Sequence, residues 1–423
     1  MNLLIKSAKI IDPQSEHHLK VMDLLINDGK LIEIAPSLSA NDQTEVFNAP
    51  NLHVSGGWID LHANFQDPGF EHKEDLKSGI QAAAAGGFTS VCLSAETNPV
   101  RDSKAGIEYT LNRAKGAVVD LLPYGAISKN AEGKELAELH DLKVAGACAF
   151  FDGKRSIKNP RLLHHALLYC QAFDGLVMNF PFNAALAENG VMNEGTVSTK
   201  IGLKGIPELT EELMLARDLY LVEHCGGKMH FATISGSKSI ELLKAAKAKG
   251  LKVSCDVSAA HLWLTDASLE GFDSRFKVLP PFRSEESRKK LIEAIKDGTI
   301  NAICSDHLPE DIESKKREID HAAFGIINLQ TAFAAARMAT KDDLSIEALV
   351  KLFTSGPAEV LGLNPNRIKL EKQANLTLFN PDESFTFEKS KVISKSLNSP
   401  FFGQELMGKV YGVINNDQKL LSP

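Results

Sequence analysis

The stretch "GWIDLHANFQDPGFEHKEDL", from Gly57 to Leu76, decides the fold. Its first half is an apolar run interrupted at alternate positions by Asp60, His62 and Asn64. Side chains two apart on a strand share a face, so these three polar groups point the same way at the strand's end. An acid followed by H-x-H would deliver two imidazoles to a metal ion; here Asn64 stands at the second histidine position. The helical pattern "DLKSGIQAAAAGG" follows at once, so the unit is strand and then helix.

The unit repeats. Apolar, β-branched runs recur at "FTSVCLS", "VVDLLPYGAI", "VAGACAFF", "GLVMNF", "KMHFATIS", "LKVSCDVS" and "TINAICSD". Helical patterns such as "NPRLLHHALLYCQAF", "LTEELMLARDLYLVEHCGG", "GSKSIELLKAAKAKG" and "SEESRKKLIEAIKDG" lie between most of them. Eight strands alternating with helices match a (β/α)8 barrel, with an open doubly wound sheet as the alternative. No dinucleotide-binding or phosphate-loop glycine motif follows any strand. Both ends of the chain read as short strands instead. Asn27-Asp28-Gly29 marks a hairpin near the N-terminus, and "RIKLEKQANLTLFNP" and "GKVYGVINN" lie near the C-terminus. The expected division is a composite β domain, 1–53 plus 366–423, around a barrel at 54–365.

Of the 423 residues, 43% are hydrophobic and 24% charged, with a net charge of -7; this describes a soluble globular chain and disfavours a nucleic-acid groove. No export signal or membrane span is expected, and six scattered cysteines suit free thiols in a reducing cytoplasm.

Beyond these patterns the chain resembles a known family. "GWIDLHANFQDPGFEHKEDLKSG" is similar to the dihydroorotase signature D-x-H-x-H-x-R-D-P-G-x-E-x-K-E-D. "MNEGTVSTKIGLKGIPELTEELMLARDL", "KVLPPFRSEESRKKLIEAIKDGTINAICSDHLP", "AAFGIINLQTAF" and the tail from Ala374 resemble later blocks of the same family, in order. The type I enzymes, associated with aspartate carbamoyltransferase, are the nearest likeness. The resemblance implies an amidohydrolase (β/α)8 TIM barrel with a small β-sandwich domain built from both termini. It also implies reversible hydrolysis of a cyclic amide by one or two zinc ions, with an aspartate on strand 8 handling the proton.

The chemical positions depart from that pattern. Asn64 replaces the second strand 1 histidine, and the acidic pair on strand 4 is reduced to Asp152 behind Phe150 and Phe151. Asn179 and Thr233 stand at the histidine positions of strands 5 and 6, and His230, three residues before Thr233, is expected on the opposite face. Asp306 is kept as the candidate catalytic acid–base group. The expected metal set is therefore His62, Asp306 and Asp152, a weak or absent zinc site, because Asn64, Asn179 and Thr233 offer neutral oxygens. Without an ion, His62 and Asp306 are expected to hydrogen-bond across the barrel mouth, and His307 to face away into packing. In the substrate shell, Gln66 replaces an arginine, Glu96 and Leu279 replace asparagines, and Glu310 replaces a histidine. Added acids and a lost arginine should repel an anionic pyrimidine.

The reading that follows is a dihydroorotase-like protein of pyrimidine biosynthesis, catalytically degenerate, oligomeric, and a structural partner of aspartate carbamoyltransferase. The alternative is an active cyclic amidohydrolase with a reduced metal site; a third is an emptied pocket holding a regulatory small molecule.

Overall fold

A computed structural model describes residues 1–422. Seven parallel strands of the central barrel are Trp58–Ala63, Phe88–Leu93, Asp120–Pro123, Leu176–Asn179, Lys228–Phe231, Val253–Ser258 and Ala302–Cys304. The fourth of the eight positions is held by Phe150, which bridges Gly125 on one side and Val177 on the other. Closure comes at the first strand, where Ala63 bridges His307 and the Asn64 amide donates to the His307 carbonyl at 2.8 Å. The ring is closed, so the open-sheet alternative is set aside.

The helices form where the pattern places them, at Leu76–Ala85, Pro160–Gln171, Leu209–Cys225, Ser237–Ala248 and Glu285–Lys296. Local chemistry sets their starts. Asp75 accepts from the Ser78 amide in a capping box, and Asn159 caps a helix that begins with Pro160.

The chain ends meet in one eight-stranded sheet. Leu3–Ile11, Val21–Asn27, Lys30–Ala35, Glu45–Phe47 and His53–Gly56 pair with Leu376–Thr386, Glu405–Asn415 and Gln418–Leu421. Asp28 and Gly29, at φ 47° and 71°, form the two-residue turn between Val21–Asn27 and Lys30–Ala35. Positive φ at both positions matches the right-handed strand twist. The strand His53–Gly56 belongs to this sheet, so the changeover to the barrel falls at Gly57. Among the described residues no helix is long and apolar enough to cross a membrane, and all six cysteines are free.

Trp58 joins the two bodies. It is fully buried, and its ring lies 4.7 Å from Phe333, 5.4 Å from Phe353 and 5.3 Å from Phe379, the last on the terminal sheet. Its indole N–H donates to Ser55 Oγ at 2.9 Å, so the polar atom is satisfied inside the cluster. Trp58→Ala should therefore lower unfolding free energy by about 3–5 kcal/mol in urea titration. A loss below about 1 kcal/mol, the level of an ordinary substitution, would contradict this account of the junction.

Candidate active site

The inward-facing residues of the first strand lie in successive layers, and each is committed to a partner. Asp60, deepest, accepts from the Ser305 amide at 2.7 Å and the Ser305 hydroxyl at 2.5 Å. His62 Nε2 lies 2.5 Å from Asp256 Oδ2. Asn64, at the mouth, accepts from the Gln66 amide at 3.0 Å.

Asp256, on the seventh strand, is the hub. Its Oδ2 also receives His230 Nε2 at 2.7 Å, and its Oδ1 receives the Thr233 amide at 2.8 Å. The Ser254 hydroxyl, 2.8 Å from His230 Nδ1, orients that ring. Burial alone would push the Asp256 carboxyl up, but the two imidazoles outweigh it and hold the group well below the ordinary carboxylate range. His230 therefore points into the barrel, not to the opposite face. Thr233 has φ 52°, which breaks the alternation between the two positions and lets both side chains face inward.

Asp306 does not meet His62. Its Oδ1 lies 2.7 Å from the Lys154 ammonium, which also donates to Thr233 Oγ1 at 3.1 Å and sits 4.7 Å from the centre of the Phe180 ring. Lys154 reaches inward from the loop after the fourth strand position. Gly153 permits the turn: its φ is +69°, and a Cβ there would fall 2.1 Å from Glu96 Oε2. Glu96 Oε2 in turn accepts the Lys154 amide at 3.1 Å, so the acid anchors the loop that carries the lysine.

Asp152 is not part of this group. Its carboxylate accepts from the Ile127 and Ser128 amides at 2.6 and 3.1 Å and from the Ser128 hydroxyl at 2.5 Å, and burial raises it to about 6. It pins a loop, so the expected His62, Asp306 and Asp152 set is not assembled. Asn179 is spent on Asp218 at 2.6 Å and on the Ile157 amide at 3.3 Å. Phe151 lines the mouth, its ring 5.6 Å from that of His62, while Phe150 turns outward onto Phe173.

The expectation of an anion-repelling pocket also fails in detail. Glu310 pairs with Lys73 at 2.7 Å, which cancels its charge. Gln66 donates to the Pro309 carbonyl at 3.3 Å, and Leu279 packs on the apolar cluster that contains Phe151 and Phe180. His307 does turn away from Asp306: its Nδ1 accepts from the Asn328 amide at 3.1 Å, and its Nε2 lies 3.5 Å from Glu74.

The set expected to hold the implied zinc, His62, Asp306 and Asp152, is dispersed among separate partners. Among the described residues the one cluster of three metal-type donors is His62, His230 and Asp256, with ligand atoms within 4.8 Å of one another. Bond lengths of about 2.0–2.1 Å around a tetrahedral ion place donors about 3.3 Å apart. The contacts of 2.5 and 2.7 Å are direct hydrogen bonds between imidazole and carboxylate. The cavity above them, lined by His62, Asn64, Glu96, Lys154, Thr233 and Asp306, measures about 30 Å³. That is room for a water or two, against roughly 300–1,000 Å³ for a small-molecule cleft. Larger clefts of about 370 and 520 Å³ lie beside Asp12 and Arg367, with none of the mouth residues in their walls.

Comparison with known proteins places this geometry. A family profile described as dihydro-orotase-like matches residues 52–239. The chain is 39% identical over 417 residues to a protein named dihydroorotase from Citrifermentans bemidjiense, covering 98% of each. It is 38% identical over 417 residues to another from Acetivibrio thermocellus, covering 98% of this chain and 97% of that one. In structure it is similar to the L-hydantoinase (dihydropyrimidinase) of Arthrobacter aurescens, with a TM-score of 0.86 at 20% identity over 100% of this chain and 96% of the other. A dihydropyrimidinase from Brevibacillus agri gives 0.83 at 20% identity, covering 100% and 95%. At such identities these structures establish the fold alone, a barrel joined to a β domain.

Asp60 gives a pH test of the interior. Burial raises its carboxyl to about 7, only partly offset by Ser305. The unfolded group titrates near 3.9, so the folded state holds the extra proton. The stability this contributes is full below about pH 4 and is lost as pH rises toward 7. Relative to Asp60→Asn, the wild type should lose up to about 1.4 kcal/mol per pH unit over that window, read as urea midpoints from pH 5 to 8. Parallel pH curves for the two proteins would contradict it.

Proposed function

The chain belongs to the dihydroorotase family, and from that premise we propose that it is a catalytically silent member kept for its framework. The observation that carries this reading is the 2.7 Å ion pair between Lys154 and Asp306. Hydrolysis of a cyclic amide needs an activated water and a group to move its proton. The resemblance assigns the proton to Asp306, and here an ammonium neutralises it. His62, the other retained group, spends Nε2 on Asp256. The groups that would hold an anionic ring are likewise spent, Gln66 on a backbone carbonyl and Glu310 on Lys73.

The retained role we assign is structural: assembly with aspartate carbamoyltransferase in pyrimidine biosynthesis. Its support is the contrast between framework and chemistry. Glu211, in "GIPELTEE", accepts from the Ser235 and Gly236 amides and fastens one helix to the loop opening the next. Asn398, in the tail, donates to the Leu308 and Gly325 carbonyls and accepts from the Glu310 amide, so the tail clasps the loop after strand 8. These contacts are complete, whereas the positions for metal and substrate are reassigned.

Full-length likeness to proteins named dihydroorotase favours a second reading, a working cyclic amidohydrolase. Turnover of dihydroorotate, with and without added zinc, separates the two. The expected rate equals that of a protein-free control. Turnover that His62→Ala abolishes would reject the silent reading. For the structural role, mixing with aspartate carbamoyltransferase should give a single heavier species in size-exclusion chromatography with light scattering. Two unshifted peaks at micromolar concentrations would reject it.

A further inference from the structure

Asp306 and Thr233 occupy two positions where the family resemblance puts metal ligands, and both now face one ammonium. We propose that the Lys154 side chain is the resident cation of the barrel mouth, a covalently tethered substitute for the divalent ion. The inference rests on the family reading above, since that reading says a cation belongs there.

Four observations converge on it. The ammonium has a set of partners suited to a cation: carboxylate oxygen at 2.7 Å, hydroxyl oxygen at 3.1 Å and an aromatic face at 4.7 Å. The pair is largely shielded from water, with side-chain exposures of 20% and 13%. Asp306 and Thr233 both hold left-handed backbone, at φ 51° and 52°, a conformation that non-glycine residues keep only when their surroundings impose it. The ammonium lies between these two residues, in contact with a side-chain oxygen of each. Delivery of the lysine is itself built, through the left-handed turn at Gly153 and the anchoring of the Lys154 amide by Glu96.

Charge balance gives the reason. Asp306 and Glu96 line one small cavity largely shielded from water, where carboxylates need a counter-charge. A divalent ion would supply it in a metal-loaded relative; one ammonium, with no ligand geometry to satisfy, supplies it here. Lys154 is thus a positioning residue for the mouth rather than a catalytic one.

A double-mutant cycle tests this on the full chain: wild type, Lys154→Met, Asp306→Asn and the double variant, compared by thermal unfolding at pH 7. Removing the ammonium strands a buried carboxylate, so Lys154→Met should lower Tm by roughly 3–5 °C for a chain of this length. Removing Asp306 as well takes away the stranded charge, so the double variant should be more stable than Lys154→Met. Should Lys154→Met fail to fold, the double variant is still expected to fold. Losses that add, a double variant that also fails to fold, or a Lys154→Met protein as stable as wild type would overturn the assignment. The readout is stability and not turnover, so this result and the catalytic assay can fail independently.

Discussion

An ionised carboxylate inside a barrel needs a counter-charge or several donors, because an unpaired charge taken out of water is very costly. The interior of this chain carries three carboxyl groups on neighbouring strands, Asp60, Asp256 and Asp306, and the rest of the site follows from how each is answered. Asp60 takes two bonds from Ser305. Asp256 takes two imidazoles and a backbone amide. Asp306 takes Lys154. In a metal enzyme with open coordination positions these donors would be free to reach an ion and its water. Here each has a partner among the protein's own side chains.

The same logic extends to the rim. Glu74, from the segment that opens the barrel, accepts from the Ser78 and Ser394 hydroxyls and from the Lys395 amide at 3.2 Å. Lys73 meets Glu310, and Asn398 ties the strand 8 loop. Loops that could part to admit a ligand are thus joined through polar bonds to one another and to the tail. A cavity of about 30 Å³ is the outcome.

Much of the fold was legible because it is written in periodicity. The alternation at 60, 62 and 64, the eight apolar runs and the Asn27-Asp28-Gly29 turn each express a local rule, and the structure follows them. The site was less legible because its partners are distant in sequence and its backbone is irregular. His230 was assigned to the wrong face because the left-handed Thr233 breaks the alternation on which the assignment relied. Asp152 was grouped with ligands because an acid at a strand end looks the same whether it faces a metal or two loop amides. Glu310 looked like a free negative charge because its partner, Lys73, lies 237 residues away along the chain. Asp256 was missed altogether, as was Lys154. One signal for the lysine was present: a basic residue two positions after the strand 4 acid, in a site short of positive charge.

On the reading proposed above, side chains take over the place of the ion. Elemental analysis of protein purified without chelators, loaded with excess zinc and then dialysed, tests it most directly. Zinc far below one ion per chain is the expected result. A full equivalent of zinc retained through dialysis, and lost on His62→Ala, would contradict it.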